Sequence, residues 1–128
     1  MAIKNADMPQ QELTKAELEI MQVIWDKEKV LVHDILDVLP EPKPAYNTVS
    51  TIVRILEQKG FVGHKAYGRT YEYFALVSKE DYTQRYMTTV LDNFFDGSLS
   101  RLVSFFSKQE SISAGEQAEI IKMLNNKK

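Results

Sequence analysis

Cysteine is absent from the 128-residue sequence. Its absence excludes disulfide bonds, thiol catalysis, iron–sulfur clusters and thiolate zinc sites. Long apolar runs are also missing, and no stretch approaches the roughly 20 apolar residues that a membrane-spanning helix needs. The opening residues, "MAIKNADMPQ", contain no apolar segment of the kind found in signal peptides. We therefore expect a cytoplasmic protein with no membrane insertion.

Side chains suited to catalysis are scarce as well. The sequence has two histidines, His33 and His64, which are far apart along the chain. The acidic residues of the first forty positions follow no metal-ligand spacing, and no glycine-rich phosphate loop is present. The sequence therefore predicts no enzyme, no catalytic residue, no metal site and no cofactor.

Charge is distributed unevenly along the chain. The net charge of the whole sequence is −2, but residues 42–71 hold five cations and one acid, a net charge of +4. Residues 1–41 hold four cations and nine acids, a net charge of −5. A local basic surface attracts a polyanion even when the whole protein is acidic.

The segment "NTVSTIVRILEQKG", residues 47–60, predicts a helix inside this basic region. Its apolar residues recur at helical spacing and predict a buried face, made of Val49, Ile52, Val53 and Leu56. The opposite face holds short polar groups and one arginine, with no acid among them. We expect Asn47 to cap the helix at its start and Gly60 to end it in the left-handed conformation.

The elements around this helix predict a winged helix-turn-helix. Thr14 and Glu17 form a capping box that starts a first helix, and Pro40 ends a short second helix. After the third helix, two β-rich runs flank Gly68–Arg69, which fits a two-residue hairpin turn of type II′. The expected fold class is mainly α with a small β-hairpin, followed by a helical dimerisation region.

The last fifty residues contain more apolar side chains than so short a segment can bury alone. Ser78 and Ser113 are expected to start helices there, with an interruption at Gly97. The simplest partner is a second copy packed about a two-fold axis. We therefore predict a flexible arm over residues 1–12, a winged-helix domain over 13–77 and a dimerisation domain over 78–128. The predicted dimer residues are Tyr82, Tyr86, Val90, Phe94, Leu102, Phe105, Phe106, Ile120, Ile121 and Leu124.

The acid-free helix face suits the major groove of DNA, where Asn, Ser, Thr and Arg reach base edges without repelling phosphate. The predicted recognition residues are Asn47, Thr48, Ser50, Thr51 and Arg54. The predicted contacts to the DNA backbone, including those of the wing, are Lys43, Tyr46, Lys65 and Arg69. Two alternatives stay open: a winged helix that binds proteins instead of DNA, and an aromatic pocket for a small ligand in the C-terminal region.

Five segments that span most of the chain form a recognisable pattern: "LTKAELEIMQVIW", "YNTVSTIVRILEQKGFV", "GRTYEYFALVSKEDY", "GSLSRLVSFF" and "SISAGEQAEIIKML". They resemble the penicillinase repressor family of bacterial regulators. The resemblance implies a homodimeric repressor that binds an inverted-repeat operator, of a resistance-type operon or of its own operon. It also implies release by proteolysis, triggered by a membrane sensor with a zinc-peptidase domain.

The chain departs from the family pattern at three places. The family's protease cuts an Asn–Phe bond, and the corresponding bond here is Phe105–Phe106, which makes these two residues the candidate regulatory cleavage site. The copper-responsive branch binds its metal through C-terminal cysteines, so copper sensing of that type is excluded. Leu31 replaces a threonine that often caps the second helix in the family.

Overall fold

The computed structural model describes residues 12–109 and 113–126. The chain divides into two compact units between Arg85 and Tyr86. The described residues form six helices and three strands, in the order α1 (Lys15–Lys27), β1 (Lys29–Val30), α2 (Val32–Val38), α3 (Tyr46–Gln58), β2 (Val62–Tyr67), β3 (Thr70–Ala75), α4 (Lys79–Phe94), α5 (Leu99–Lys108) and α6 (Ala114–Asn126). None of the described helices is both long enough and apolar enough to cross a membrane.

The three strands form an antiparallel sheet in the order β1-β3-β2. The predicted hairpin is confirmed: β2 pairs with β3, and Gly68–Arg69 is the two-residue loop between them. Gly68 has a φ of +65°, as the first central residue of a II′ turn requires. The sheet also contains β1, which the sequence analysis missed; Val30 pairs with Tyr73 there. A strand of two residues is too short to give an alternating pattern.

The core of the first unit lies between α1, α2, α3 and the sheet. Its buried residues include Met21, Ile24, Ile35, Val49, Val53, Leu56, Phe61, Val62 and Val77. The predicted inward face of α3 is confirmed, because Val49, Val53 and Leu56 are fully buried and Ile52 packs half-buried against them. Burial of this face leaves the opposite, polar face of α3 to solvent.

The start of α3 differs from the prediction. The N-cap is Ala45, whose extended backbone precedes the helix and whose carbonyl accepts from the amides of Thr48 and Val49 at 3.0 and 3.2 Å. Asn47, predicted as the cap, lies instead in the first turn and is exposed. This helix starts at a backbone carbonyl without any capping side chain, so the residue types in the sequence could not indicate where it begins. The Asn47 side chain is therefore not engaged as a cap.

The end of α3 follows the prediction closely. Gly60 has a φ of +89°, the left-handed conformation that glycine adopts without steric cost. Its amide donates to the carbonyl of Glu57 at 3.0 Å, and the amide of Phe61 donates to the carbonyl of Leu56 at 2.9 Å. These two bonds are a Schellman motif. The chain turns sharply there and enters β2 with the buried Phe61 as its anchor.

A buried acid joins the first and third helices. Thr14 and Glu17 make the predicted capping box at the start of α1. The Glu17 carboxylate also accepts from the Lys59 ammonium, at 3.1 Å through Oε1 and 2.8 Å through Oε2. Burial alone would raise the pKa of Glu17, but the bonds from Lys59 and Thr14 outweigh it and lower that pKa. The Glu17 carboxylate therefore stays charged at neutral pH.

Caps and breaks in the C-terminal helices follow local sequence signals. The Ser78 hydroxyl accepts from the Asp81 amide at 3.0 Å at the start of α4. After α4 ends, Asp96 and Gly97 take positive φ values of 52° and 74°, and Ser98 caps α5. The Ser113 hydroxyl accepts from the Glu116 amide at 3.1 Å at the start of α6. The predicted helix starts at Ser78 and Ser113 and the break at Gly97 are confirmed.

Candidate nucleic-acid interface

The outward face of α3 holds all five predicted recognition residues. Four of them are exposed and Ser50 is half-buried; the exposed ones are Asn47, Thr48, Thr51 and Arg54. The first turn of α3 contains no acidic residue. Its helix N-terminus therefore keeps its partial positive charge, which favours a nearby phosphate.

A cleft of about 440 Å³ separates α3 from the hairpin. It brings together four of the predicted DNA-contacting residues, namely Tyr46, Ser50, Arg54 and Arg69. The Arg54 guanidinium donates to the Ser50 hydroxyl at 3.4 Å, one turn earlier in α3. This bond directs the guanidinium toward the N-terminal half of the helix, where a recognition helix contacts bases most deeply.

The hairpin supplies two cations at different positions. Arg69 occupies the turn, where its exposed side chain also lines the cleft. Lys65 lies on β2 outside the cleft lining, and its ammonium is 5.3 Å from the centre of the Tyr67 ring. A cation–π contact of this length holds the lysine against the exposed tyrosine. Both side chains lie at the surface of the wing.

Lys43 is engaged differently from the prediction that it holds a phosphate. Its ammonium donates to the carbonyls of Leu36, Asp37 and Leu39 at 2.6, 3.1 and 3.0 Å. These carbonyls end α2, where a cation is favoured by the helix dipole. All three donors of the ammonium are therefore occupied. A phosphate contact by Lys43 would require these bonds to break.

Several residues in or beside the cleft were not predicted as site residues. Glu57 and Tyr73 line the cleft, and His64 pairs with Glu57 from β2. Burial raises the pKa of Tyr73, and the nearby Glu57 carboxylate raises it further, against a smaller opposite effect of Arg54. The spacing of Glu57, His64 and Tyr73 in the sequence does not predict that they lie together, because α3 and the hairpin meet only in the folded chain.

A group of potential metal ligands lies on α2, where the sequence analysis expected none. Ligand atoms of His33, Asp34 and Asp37 lie within 4.8 Å of one another. Asp34 already accepts from the Leu31 amide at 2.9 Å and so starts α2 in place of a capping side chain at Leu31. Exposed carboxylates commonly group in this way without a metal, and we assign no metal to them.

The chain matches the family described as Penicillinase repressor over residues 13–126. It belongs to the penicillinase repressor family. Among its relatives, the methicillin resistance regulatory protein MecI of Staphylococcus aureus (strain N315) is 27% identical over 117 residues, covering 91% of this chain and 95% of MecI. The Penicillinase repressor of Bacillus licheniformis is 26% identical over 118 residues, covering 91% of this chain and 92% of that protein.

A solved structure supports the fold of this repressor-family chain. The solution structure of the DNA binding domain of the repressor BlaI is similar with a TM-score of 0.50 and 28% sequence identity, over 59% of this chain and 90% of that domain. The predicted family and the winged-helix fold are thereby confirmed. Because the family consists of DNA-binding repressors, we conclude that the chain is a DNA-binding repressor and not an enzyme, as the sequence predicted.

Proposed function

We propose that the chain represses transcription as a homodimer bound to an inverted-repeat operator, with α3 in the major groove and the hairpin on the flanking backbone. The observation that carries this proposal is the position of Arg69 beside α3, whose first turn holds no acid, with Arg54 across the same cleft. Two guanidinium groups on one side of a helix-turn-helix suit the phosphates and guanines of duplex DNA.

The roles of the side chains follow from their places on the elements. Near the start of α3, four short polar residues are assigned to base edges, namely Asn47, Thr48, Ser50 and Thr51. Arg54, one turn further along, is assigned to a guanine or a phosphate. Tyr46, Lys65 and Arg69 are assigned to the backbone, which sets affinity and register more than sequence preference.

Dimerisation is assigned to the second unit. Its large apolar side chains include Phe94, which is 76% exposed, and Tyr86, Phe105 and Phe106, which are 40, 46 and 38% exposed. The half-buried residues Val90, Leu102 and Ile120 complete the set of described side chains. Ile121 and Leu124 lie in α6, but their side chains are outside the described part of the structure. A second copy would remove this apolar surface from water.

Tyr82 is left out of this dimer surface. Its hydroxyl accepts from the Leu13 amide at 3.0 Å, and its ring lies 6.0 Å from that of Trp25 and 5.8 Å from that of Phe61. The sequence analysis assigned Tyr82 to dimerisation because it lies on the same helix as Tyr86. Its contacts are instead with the winged-helix core.

The same proposal includes two further parts. The repressor controls a resistance-type operon or its own operon in the cytoplasm, and a protease triggered by a membrane sensor releases it from DNA. The candidate Phe105–Phe106 bond lies within α5. A protease binds its substrate as an extended strand, so cutting there requires α5 to unwind locally. Limited proteolysis of the purified protein with the sensor's peptidase domain, followed by mass spectrometry, identifies the bond that is cut.

Fluorescence anisotropy tests the operator proposal. The purified chain is titrated into labelled DNA from upstream of its own gene and into scrambled DNA of equal length, over a series of salt concentrations. We expect tight binding to the first duplex only, with affinity falling steeply as salt rises. Equal weak binding to both duplexes would remove the autoregulatory part of the proposal. No binding at any salt would favour a protein-interaction module.

A further inference from the structure

Glu57 is an unexpected residue for the cleft that we assign to DNA. It is the one acid in residues 42–71, and it lines the cleft together with Arg54 and Arg69. A carboxylate beside a DNA phosphate is repelled by it, because the low-dielectric edge of the protein screens charge poorly. An uncompensated Glu57 would therefore oppose the two arginines that attract DNA to the cleft.

His64 compensates this charge. Its Nδ1 lies 2.5 Å from Oε2 of Glu57, and the two side chains are 33 and 32% exposed. The imidazole stacks on the Tyr71 ring at 4.4 Å between ring centres, with 23° between the ring planes. The Tyr73 ring lies 5.8 Å away on the same face of the sheet. These contacts hold the imidazole in place, and its protonated form makes the pair with Glu57 neutral.

The titratable and charged groups around His64 come from each element packed near it. Helix α3 contributes Glu57 and Arg54, β3 contributes Tyr71 and Tyr73, and Arg69 lies at the turn. Helix α2 contributes His33, which lines the same cleft. Lys65, the next residue on β2, points to the opposite face of the sheet. Within this set, histidine is the residue type whose charge changes between pH 5 and 8.

We propose that His64 is a positioning residue of the DNA interface, which neutralises Glu57 when protonated and leaves a carboxylate facing the phosphate backbone when neutral. This inference rests on the proposed function. Bound DNA favours the protonated imidazole, so binding is accompanied by proton uptake. Operator affinity therefore falls as pH rises from 6 to 8.

The test measures affinity for the upstream duplex at pH 6, 7 and 8, at constant ionic strength, with the full chain. Wild type is expected to bind roughly three- to tenfold more weakly at pH 8 than at pH 6, from the change of one charge near a phosphate. Glu57→Gln is expected to bind at pH 8 as tightly as wild type at pH 6. His64→Gln is expected to bind weakly at every pH. The double variant that carries both Glu57→Gln and His64→Gln is expected to recover the affinity that wild type has at pH 6.

The second histidine is tested separately because it also lines the cleft. His33 belongs to α2, and its Nδ1 lies 3.5 Å from Asp34. The part of the pH dependence that persists in His33→Gln and disappears in His64→Gln belongs to the His64–Glu57 pair. Circular dichroism of each variant at pH 6 and 8 monitors folding, so that a loss of affinity caused by unfolding is recognised.

Two results would overturn the inference while leaving the proposed function intact. One is specific binding by wild type with a flat pH profile, and the other is a His64→Gln variant that keeps the wild-type pH slope. Absence of any preference for the upstream duplex at all pH values would overturn the proposed function, and this inference with it. Recovery in the double variant separates charge compensation from a purely structural role of His64.

Discussion

The Lys59 ammonium contacts both carboxylate oxygens of Glu17, although 42 residues separate them in sequence. Glu17 belongs to the first turn of α1, and Lys59 is the C-cap of α3. The contact therefore fixes the end of the proposed recognition helix to the start of the first helix. The Glu17 side chain is 7% exposed and that of Lys59 is 25% exposed.

Removing the lysine should destabilise the fold clearly. In Lys59→Met the buried Glu17 carboxylate loses its counter-ion, and we expect the free energy of unfolding to fall by about 2 kcal/mol, below the range for fully buried pairs because Lys59 is partly exposed. Urea denaturation at pH 7 measures this change. Lys15→Met, at an exposed position of α1, is the control and should change stability by less than about 0.5 kcal/mol. Equal effects of the two substitutions would contradict the structural role of the pair.

The same pair should make stability depend on acid pH. Because the folded-state pKa of Glu17 is lowered, its contribution is present above the unfolded value and is lost as pH falls through the folded value. We expect wild type to lose more stability than Glu17→Gln between pH 6 and pH 3. Thermal unfolding at the two pH values measures this difference. A parallel loss in both proteins would show that Glu17 contributes nothing to the acid sensitivity.

Lys43 offers a direct comparison between a structural role and a DNA contact. Lys43→Met should lower stability by about 1–2 kcal/mol, because three carbonyls at the end of α2 lose a charged donor. The slope of log affinity against log salt should stay unchanged. Arg69→Ala is the matched comparison, and it should reduce that slope by about 1 while leaving stability unchanged. A reduced salt slope for Lys43→Met would restore the original prediction of a phosphate contact.

The dimer proposal depends on the exposed aromatic side chains of the second unit. Phe94→Asp should shift the protein from dimer to monomer at micromolar concentration, because a carboxylate replaces an apolar contact at the proposed interface. Sedimentation equilibrium measures the change. Val38→Asp provides a control in the first unit, since Val38 is an apolar residue that is 49% exposed. The assignment of Phe94 fails if its variant stays dimeric.

Local chemistry made much of the fold predictable from sequence. Thr14 with Glu17, the glycine at position 60 and the glycine at position 68 each determine a cap or turn through contacts within a few residues. The inward face of α3 followed from helical spacing alone. These features depend on neighbours in sequence, and sequence shows neighbours directly.

The rest depends on contacts between distant segments or on the backbone alone. The β1 strand is defined by pairing with β3, and Ala45 caps α3 with a carbonyl that every residue possesses. The roles of Lys43 and Tyr82 were predicted from the residue type and the helix position. The Tyr82 side chain instead reaches Leu13, which only the folded chain brings near, and the Lys43 side chain turns back onto backbone carbonyls at the end of α2. The pairing of His64 with Glu57 was missed because it forms across the turn between α3 and β2.

The Schellman turn at Gly60 has a consequence for how such a regulator changes over evolution. Three residues, Lys59, Gly60 and Phe61, join α3 to β2, and each is fixed by a hydrogen bond, a positive φ or burial. Insertion or deletion in this segment would shift the wing against α3, the proposed recognition helix, and break all three constraints. New operator preferences can therefore arise by exchange of exposed side chains, while the length of the connection stays constant.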